Sequence, residues 1–255
     1  SGLFKWLVKC HYLVINPYDQ LPKKYTQATI QTHHAIPEEL WLDIMAYCQQ
    51  KIETAETLPI KHEWIRYYFI LRLGYGTGLR IHELIAVKLG DLSITFRGRQ
   101  KQVWLTVIGK GDKAREVPFP PWLQEDLSLY LSARHLSEVI QDNSPDLPII
   151  GKVKGRGSLT TEGMHKLVKK MFRKLYDGLS IQPRTQNSLD YSLLLKATAH
   201  WLRHTHGTHQ ADKDIPLHLI RDNLGHASIA TTSIYVNSDK SKRYAVIEKI
   251  NEEEN

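Results

Sequence analysis

The chain has little cysteine, little that is acidic in excess and no long apolar run, and each shortage removes a class of protein. Two cysteines, Cys10 and Cys48, cannot build a disulfide framework or a metal knuckle, which points to a reducing, intracellular compartment. No apolar stretch approaches the roughly 20 residues of a membrane span, and the opening Ser-Gly followed by an amphipathic segment is not a secretory leader. A phosphate-binding glycine loop of the P-loop type and a clustered-carboxylate metal site are also missing, which fits a chemistry that requires neither ATP nor a divalent metal. What is present is positive charge. Lys and Arg number 34 against 27 Asp and Glu, a formal +7, which favours a polyanionic partner over a membrane. With 255 residues and 42% hydrophobic side chains, one large or two modest packed domains are expected.

Periodicity organises the rest. LFKWLVKCHYLVI, residues 3–15, predicts a short helix ended by Asn16-Pro17, and its apolar surface is too large for it to stand alone. Residues 18–36 have no sustained period and predict a mildly basic linker. Pro37-Glu38-Glu39 suits a helix N-terminus, and Leu40, Ile44, Cys48 and Ile52 then fall on one face. An aromatic-rich helix is expected from about Lys61 to Leu73. LSITF, VWLTVIG and REVPF predict a three-stranded antiparallel sheet with basic turns between them. Helices are expected again over 121–139, 160–176 and through the C-terminal region, with a break at Gly225-His226. Loops are expected over 141–158 and 177–192, and the segments around 140–158 and 180–196 receive no chemistry. The fold class is therefore mainly α with a small three-stranded antiparallel β-sheet.

Four segments carry groups suited to a phosphate. In GTGLRIHEL, glycines before Leu79-Arg80 suit a tight turn into a helix that aims Arg80 over the helix N-terminus, with Glu83 one turn on to steady the guanidinium or cap the helix. In IGKGDKAREVP, Lys110 sits between glycines at a hairpin tip, where its ammonium can reach a narrow site and protonate a leaving alkoxide. In AHWLRHTHGTH, His200 and Arg203 share a helix face. In LGHASIATTSIY, His226 lies at a turn and Tyr235 on the next short helix. A phenol with an ordinary pKa of about 10 becomes a useful nucleophile only where cations stabilise the charge it builds on the attacked group. Each segment alone has a bland reading: a surface Arg-Glu pair, a solvated turn lysine, a core tyrosine. His204, His206 and His209 tempt a metal reading, but the segment has no partner Glu and no cysteine ligands lie near, so packing or surface roles are assigned to them. Together, the four segments in order describe one site.

Those segments resemble the tyrosine recombinase, or phage integrase, family over roughly residues 37–240. GTGLRIHEL matches its first arginine box, IGKGDKAREVP its hairpin lysine, HWLRHTHGTH its H-x-x-R box, and LGHASIATTSIYV its second histidine and tyrosine. The resemblance implies six active residues, Arg80, Lys110, His200, Arg203, His226 and Tyr235, in the family's mostly helical catalytic-domain fold. It implies a site-specific recombinase that cuts and rejoins double-stranded DNA through a 3′-phosphotyrosine. It further implies a monomer when free, a homo-oligomer (a tetramer) on synapsed DNA, and a cytoplasmic, nucleoid-associated setting. Type IB topoisomerase-like relaxation, resolution of hairpin telomeres and a non-catalytic DNA-binding accessory protein are the rival readings.

On this reading residues 1–17 end an N-terminal clamp domain, 18–36 link, 37–239 form the catalytic domain, and 240–255, with Tyr244, Ile247 and Ile250 at helical spacing, form a tail helix that packs on a neighbouring protomer. The chain is then a truncated catalytic fragment. Further phosphate contacts are expected from Arg97, Arg99, Lys101, Lys113 and Arg115 on the sheet and from Lys152, Lys154 and Arg156 in the loop after it.

Overall fold

In the computed structural model, residues 2–20, 34–109, 111–152, 157–181, 189–226 and 228–235 are described. The chain divides into two compact units, residues 1–33 and 34–255. The first holds helix α1 (Gly2–Lys9) and a 3₁₀ turn at Pro17–Gln20. The helix expected to run to Asn16 stops at Lys9. Cys10, His11 and Tyr12 N–H groups turn back onto the carbonyls of Trp6, Val8 and Leu7, and His11 takes φ 60°, which no helix continues. Continuous apolarity concealed that end.

The second unit is mainly α with one small sheet, as the sequence predicts. Its helices are α2 (Glu38–Glu53), α3 (Leu58–Thr77), α4 (Ile81–Ala86), α5 (Pro121–Ala133), α6 (Thr161–Leu179), α7 (Leu193–Lys196), α8 (Ala199–Asp212), α9 (Leu217–Leu224) and α10 (Ile229–Thr232), followed by a 3₁₀ turn at Ser233–Tyr235. α3 is the central member. It packs against α2, α5 and α8, and Tyr67, Phe69, Ile70, Leu71 and Leu73 are buried around its circumference. A helix apolar all round has to be enclosed in this way. The expected break at 177–192 is shorter than drawn, because α6 runs on to Leu179 and α7 begins at Leu193. α5 ends at Ala133 rather than at 139: His135 adopts φ 58°, and the His135 and Leu136 N–H groups close on Ser132 and Leu131.

The sheet has strands β1 (Leu92–Arg97), β2 (Gln100–Ile108) and β3 (Ala114–Pro118) in the order β1-β2-β3, both pairs antiparallel. Register places Leu92 opposite Leu105 and Leu105 opposite Val117, so one face runs into the core while the distal end of β1, with Phe96 72% exposed, projects from it. The turn expected over RGRQK contracts to Gly98-Arg99.

Residues 34–36, assigned to the linker, belong to the second unit instead. Ile36 is buried; its N–H donates to Thr205 Oγ1 at 2.9 Å, and its carbonyl lies 2.9 Å from His209 Nε2. The chain entering α2 is thereby tied to α8. No described helix is long and apolar enough to cross a membrane.

Candidate active site

Two glycines bring the site together. Gly78 caps α3 in the left-handed region at φ 60°, and a Cβ there would lie 2.7 Å from His206 Cδ2 and 2.8 Å from Leu224 Cδ2. Its carbonyl accepts Arg203 Nη1 at 2.7 Å, while Arg203 Nη2 donates to the Leu224 carbonyl at 2.6 Å. The second donor–acceptor pair reaches the C-terminus of α9, which Gly225 closes at φ 62°. One guanidinium thus joins α8 to the ends of α3 and α9, and at 1% exposure it is the largest fully buried side chain described.

Arg80 stands at the N-cap of α4. Glu83 Oε2 accepts the Arg80 backbone N–H at 2.8 Å, and Oε1 accepts Arg80 Nη1 at 3.2 Å, so the capping and guanidinium-steadying roles expected of Glu83 are both present. Arg115 adds two further bonds to the same carboxylate, Nη1 at 2.9 Å and Nη2 at 2.8 Å, and its Nε donates to the Asn223 carbonyl at 3.0 Å. Burial alone would raise the Glu83 pKa; the Arg115 hydrogen bonds, the Arg80 N–H and both positive charges bring it down to about 2. Arg115, expected among the DNA-phosphate contacts, directs its guanidinium at Glu83 and the end of α9. All three of its nitrogens are committed to Glu83 and to the end of α9, so it fixes the arginine box instead. Charge counting missed this because the partner lies 32 positions away.

Around Arg203 stand the other expected groups. Tyr235 is 4% exposed; burial raises its pKa, opposed by the charge and hydrogen bond of Arg203 and by the charge of Arg80. His226 stacks on the Tyr235 ring with centroids 6.1 Å apart and planes at 12°, and its Nδ1 lies 3.0 Å from Thr232 Oγ1. Burial and the cations Arg203, Arg80 and Arg115 lower the His226 pKa to about 4. His200 is exposed in the first turn of α8, its pKa lowered by partial burial and then by Arg203 and Arg80. Arg203 is lowered to about 10 by burial and by Arg80, and so stays charged at neutral pH. Arg80, His200, Arg203, His226 and Tyr235 are thus within one electrostatic neighbourhood. Lys110 lies outside the described residues; its neighbours Gly111 and Asp112 turn the hairpin at φ 75° and 54°.

His206 and His209 serve packing, as expected: both are buried, with His206 Nδ1 2.6 Å from the Tyr75 carbonyl. His204 packs as well, but against the site itself. Its ring centroid lies 4.3 Å from that of His200 and 5.6 Å from that of Tyr235. Its position one residue after Arg203, four after His200, was the signal available in the sequence. Among the described residues no group of three or more His, Cys, Asp or Glu is placed to hold a metal ion.

Arg97, Arg99, Lys101, Lys113 and Lys152 are exposed, whereas Lys154 and Arg156 lie outside the described residues. A further basic surface went unread. Lys166, Lys169, Lys170 and Arg173 follow one stripe of α6 and border a cleft floored by Leu194, Leu195 and Ala197. Its i, i+3, i+4, i+7 spacing is legible in the sequence.

A phenol seated on a buried guanidinium, with a second arginine and two uncharged imidazoles beside it, defines a site for nucleophilic attack on an anionic ester. The phage integrase family profile matches residues 39–242, and the chain belongs to that family. Tyrosine recombinase XerA of Pyrococcus furiosus is 31% identical over 197 residues, covering 77% of this chain and 58% of that protein. The chain spans little more than half the length of such relatives. Among solved structures, the Tn1549 transposon integrase in complex with transposon right end DNA has a TM-score of 0.63 at 14% identity, covering 97% of this chain and 78% of that one. The XerH site-specific recombinase bound to its difH substrate, a pre-cleavage complex, has a TM-score of 0.56 at 24% identity, covering 84% and 53%. Both share the fold.

Proposed function

We propose that this chain is the catalytic part of a site-specific recombinase that cuts and rejoins double-stranded DNA through a tyrosine ester. The observation that carries the reading is the placement of Tyr235 on Arg203, with Arg80, His200 and His226 around it. In this reading Arg80 and Arg203 hold the non-bridging oxygens of the scissile phosphate and offset the charge of its pentacoordinate transition state. The Tyr235 oxygen forms the new bond to phosphorus as the bond to the 5′ oxygen breaks. The phenol proton passes to a neighbouring acceptor, for which the uncharged His200 and His226 are the candidates. The departing oxygen takes a proton from Lys110, whose assignment rests on the hairpin motif.

The product is a 3′-phosphotyrosine and a free 5′-hydroxyl. A 5′-hydroxyl from a partner strand reverses the step and completes strand exchange. Because the ester conserves the phosphodiester's free energy, no step consumes ATP, and none is routed through a metal. The partner is duplex DNA, in line with the Tn1549 integrase in complex with transposon right end DNA, with a homo-oligomer assembled on paired sites and the tail 240–255, outside the described residues, as a protomer contact. The basic groups Arg97, Arg99, Lys101, Lys113 and Lys152 supply salt-dependent phosphate contacts.

Covalent trapping on nicked duplexes tests the reading. Wild type is expected to give a slowly migrating adduct on a denaturing gel without added metal, and Tyr235→Phe none. An adduct retained by Tyr235→Phe would remove Tyr235 from the nucleophile's role. Transfer of the trapped strand to a second duplex separates recombination from relaxation by a topoisomerase.

A further inference from the structure

The H-x-x-R box accounts for two residues of α8, but the face those residues occupy continues. His200, Arg203, His204 and Gly207 stand at i, i+3, i+4 and i+7, one stripe of the helix, and all four bear on the nucleophile or its neighbour. The charge of Arg203 bears on the Tyr235 phenol. His204 lies between the two other rings, its plane 83° to that of His200 and 61° to that of Tyr235, at centroid separations of 4.3 and 5.6 Å. Gly207 lies under the phenol. A Cβ there would meet Tyr235 Cδ2 and Cε2 at 2.8 Å and Cγ at 2.9 Å, closer than side chains tolerate. These are atoms at the root and flank of the ring, so the tyrosine would have to move as a whole to make room. His226 stacks on the same ring at 12°.

We propose that His204 and Gly207 are positioning residues for Tyr235: His204 is a ring-shaped wedge between the nucleophile and His200, and Gly207 is the floor that lets the phenol lie flat against α8 beside Arg203. The wedge works as an uncharged ring. Burial, then His200, His34, Arg203 and His226, lower the His204 pKa to about 4, so at neutral pH it adds no charge to a site that already holds two arginines. Its part is to fill space, keep water from the phenol and fix the ring plane, whereas Arg203 supplies the charge. The proposal rests on the recombinase reading for its catalytic consequence, but not for its geometry.

The test uses the full chain with 3-fluorotyrosine at position 235, followed by fluorine NMR without DNA, and the rate of adduct formation on nicked duplexes. His204→Ala and His204→Gln, which remove the ring, are expected to shift the fluorine resonance and bring the phenol's titration down towards that of a free fluorotyrosine. They are expected to slow adduct formation roughly tenfold or more, the cost of a misplaced nucleophile, with duplex affinity held within about twofold. His204→Phe, which keeps the ring and discards both nitrogens, restores the resonance and most of the rate. Gly207→Ala moves the resonance without altering His204.

If His204→Phe is as slow as His204→Ala, the nitrogens matter and the wedge is the wrong description. A fluorine signal unchanged in both His204→Ala and Gly207→Ala overturns the proposal outright. Wild type that forms no adduct, while the resonance shifts as expected, faults the recombinase reading and leaves the seat intact.

Discussion

Two carboxylates in this protein are held at a pKa of about 2 by a pair of cations each, and only one of them belongs to the site. Glu83 has no exposed side-chain surface and is gripped by Arg115 through two parallel bonds and by Arg80 through backbone and guanidinium. Glu63, on α3, keeps 27% of its side chain exposed and meets Lys170 and Lys174 of α6, whose own side chains are 60% and 39% exposed. The pKa direction is the same and the physics is not. A planar guanidinium fork fixes an angle as well as a distance, whereas an ammonium on a flexible stem fixes a distance only. Glu83 can therefore orient Arg80, and Glu63 can only fasten α3 to α6. A strongly lowered carboxylate is thus no marker of function until its partners are named.

The largest expected effect comes from breaking the buried member. Glu83→Gln leaves Arg115 and Arg80 charged without their counter-ion, and removing one partner of a buried pair costs about 3–5 kcal/mol. For a chain of this size that lowers the melting temperature by roughly 6–20 °C, measurable by calorimetry. Adduct formation should fall in step, because Arg80 loses the group that aims it. A Glu83→Gln protein with unchanged melting temperature would remove the distinction between the two carboxylates.

Acid sharpens the comparison from another direction. His204, His206 and His226 have folded pKa values lowered to about 4, in each case first by burial, against an ordinary 6.5. Between those values the unfolded chain binds more protons than the folded one. The stability these histidines carry is therefore fully present above about pH 6.5 and lost as the pH falls towards 4. The fully buried His206 should cost about 1 kcal/mol over the first pH unit below 6.5, and His204 and His226, partly screened by solvent, less. Glu63 and Glu83 follow a lower window: their contribution holds above about 4.5 and is lost as the pH falls towards 2. Urea midpoints at pH 7 and pH 5.5 should therefore differ, and by the same amount in Glu63→Gln as in wild type. A flat profile across that range would mean the histidines around Tyr235 and Gly78 are not held uncharged by the fold.

What could be read from the residues divides along similar lines. The sheet was legible because LSITF and VWLTVIG alternate with a period of two and are separated by turn residues, and α2 because Pro37, two acids and an i, i+4 stripe agree with one another. The ends of α1 and α5 were not, since His11 and His135 take positive φ with no glycine or proline to announce it. Within the site, the groups that share a short segment, Arg80 with Glu83 and His200 with Arg203, were linked by helical spacing alone. The grip of Arg115 on Glu83 and the contact of His204 with Tyr235 were not legible for one reason: these partners come from elsewhere in the chain, and a linear pattern carries no information on which distant side chain will close the gap.

The smallest effect should come from Glu63. Glu63→Gln removes the charge that Lys170 and Lys174 share, but both lysines can turn their ammonium groups to water, so no buried cation is stranded. The buried Tyr67 hydroxyl donates to Glu63 Oε1 at 2.8 Å, and an amide oxygen at that place accepts the same bond. What remains is an exposed ion pair, worth less than about 1 kcal/mol and screened by salt. The melting temperature of Glu63→Gln should sit within roughly 3 °C of wild type at low salt and closer at high salt, with adduct formation unaltered. A loss as large as that of Glu83→Gln would show that the lysine pair grips as tightly as the arginine fork, and the argument from guanidinium geometry would fail with it.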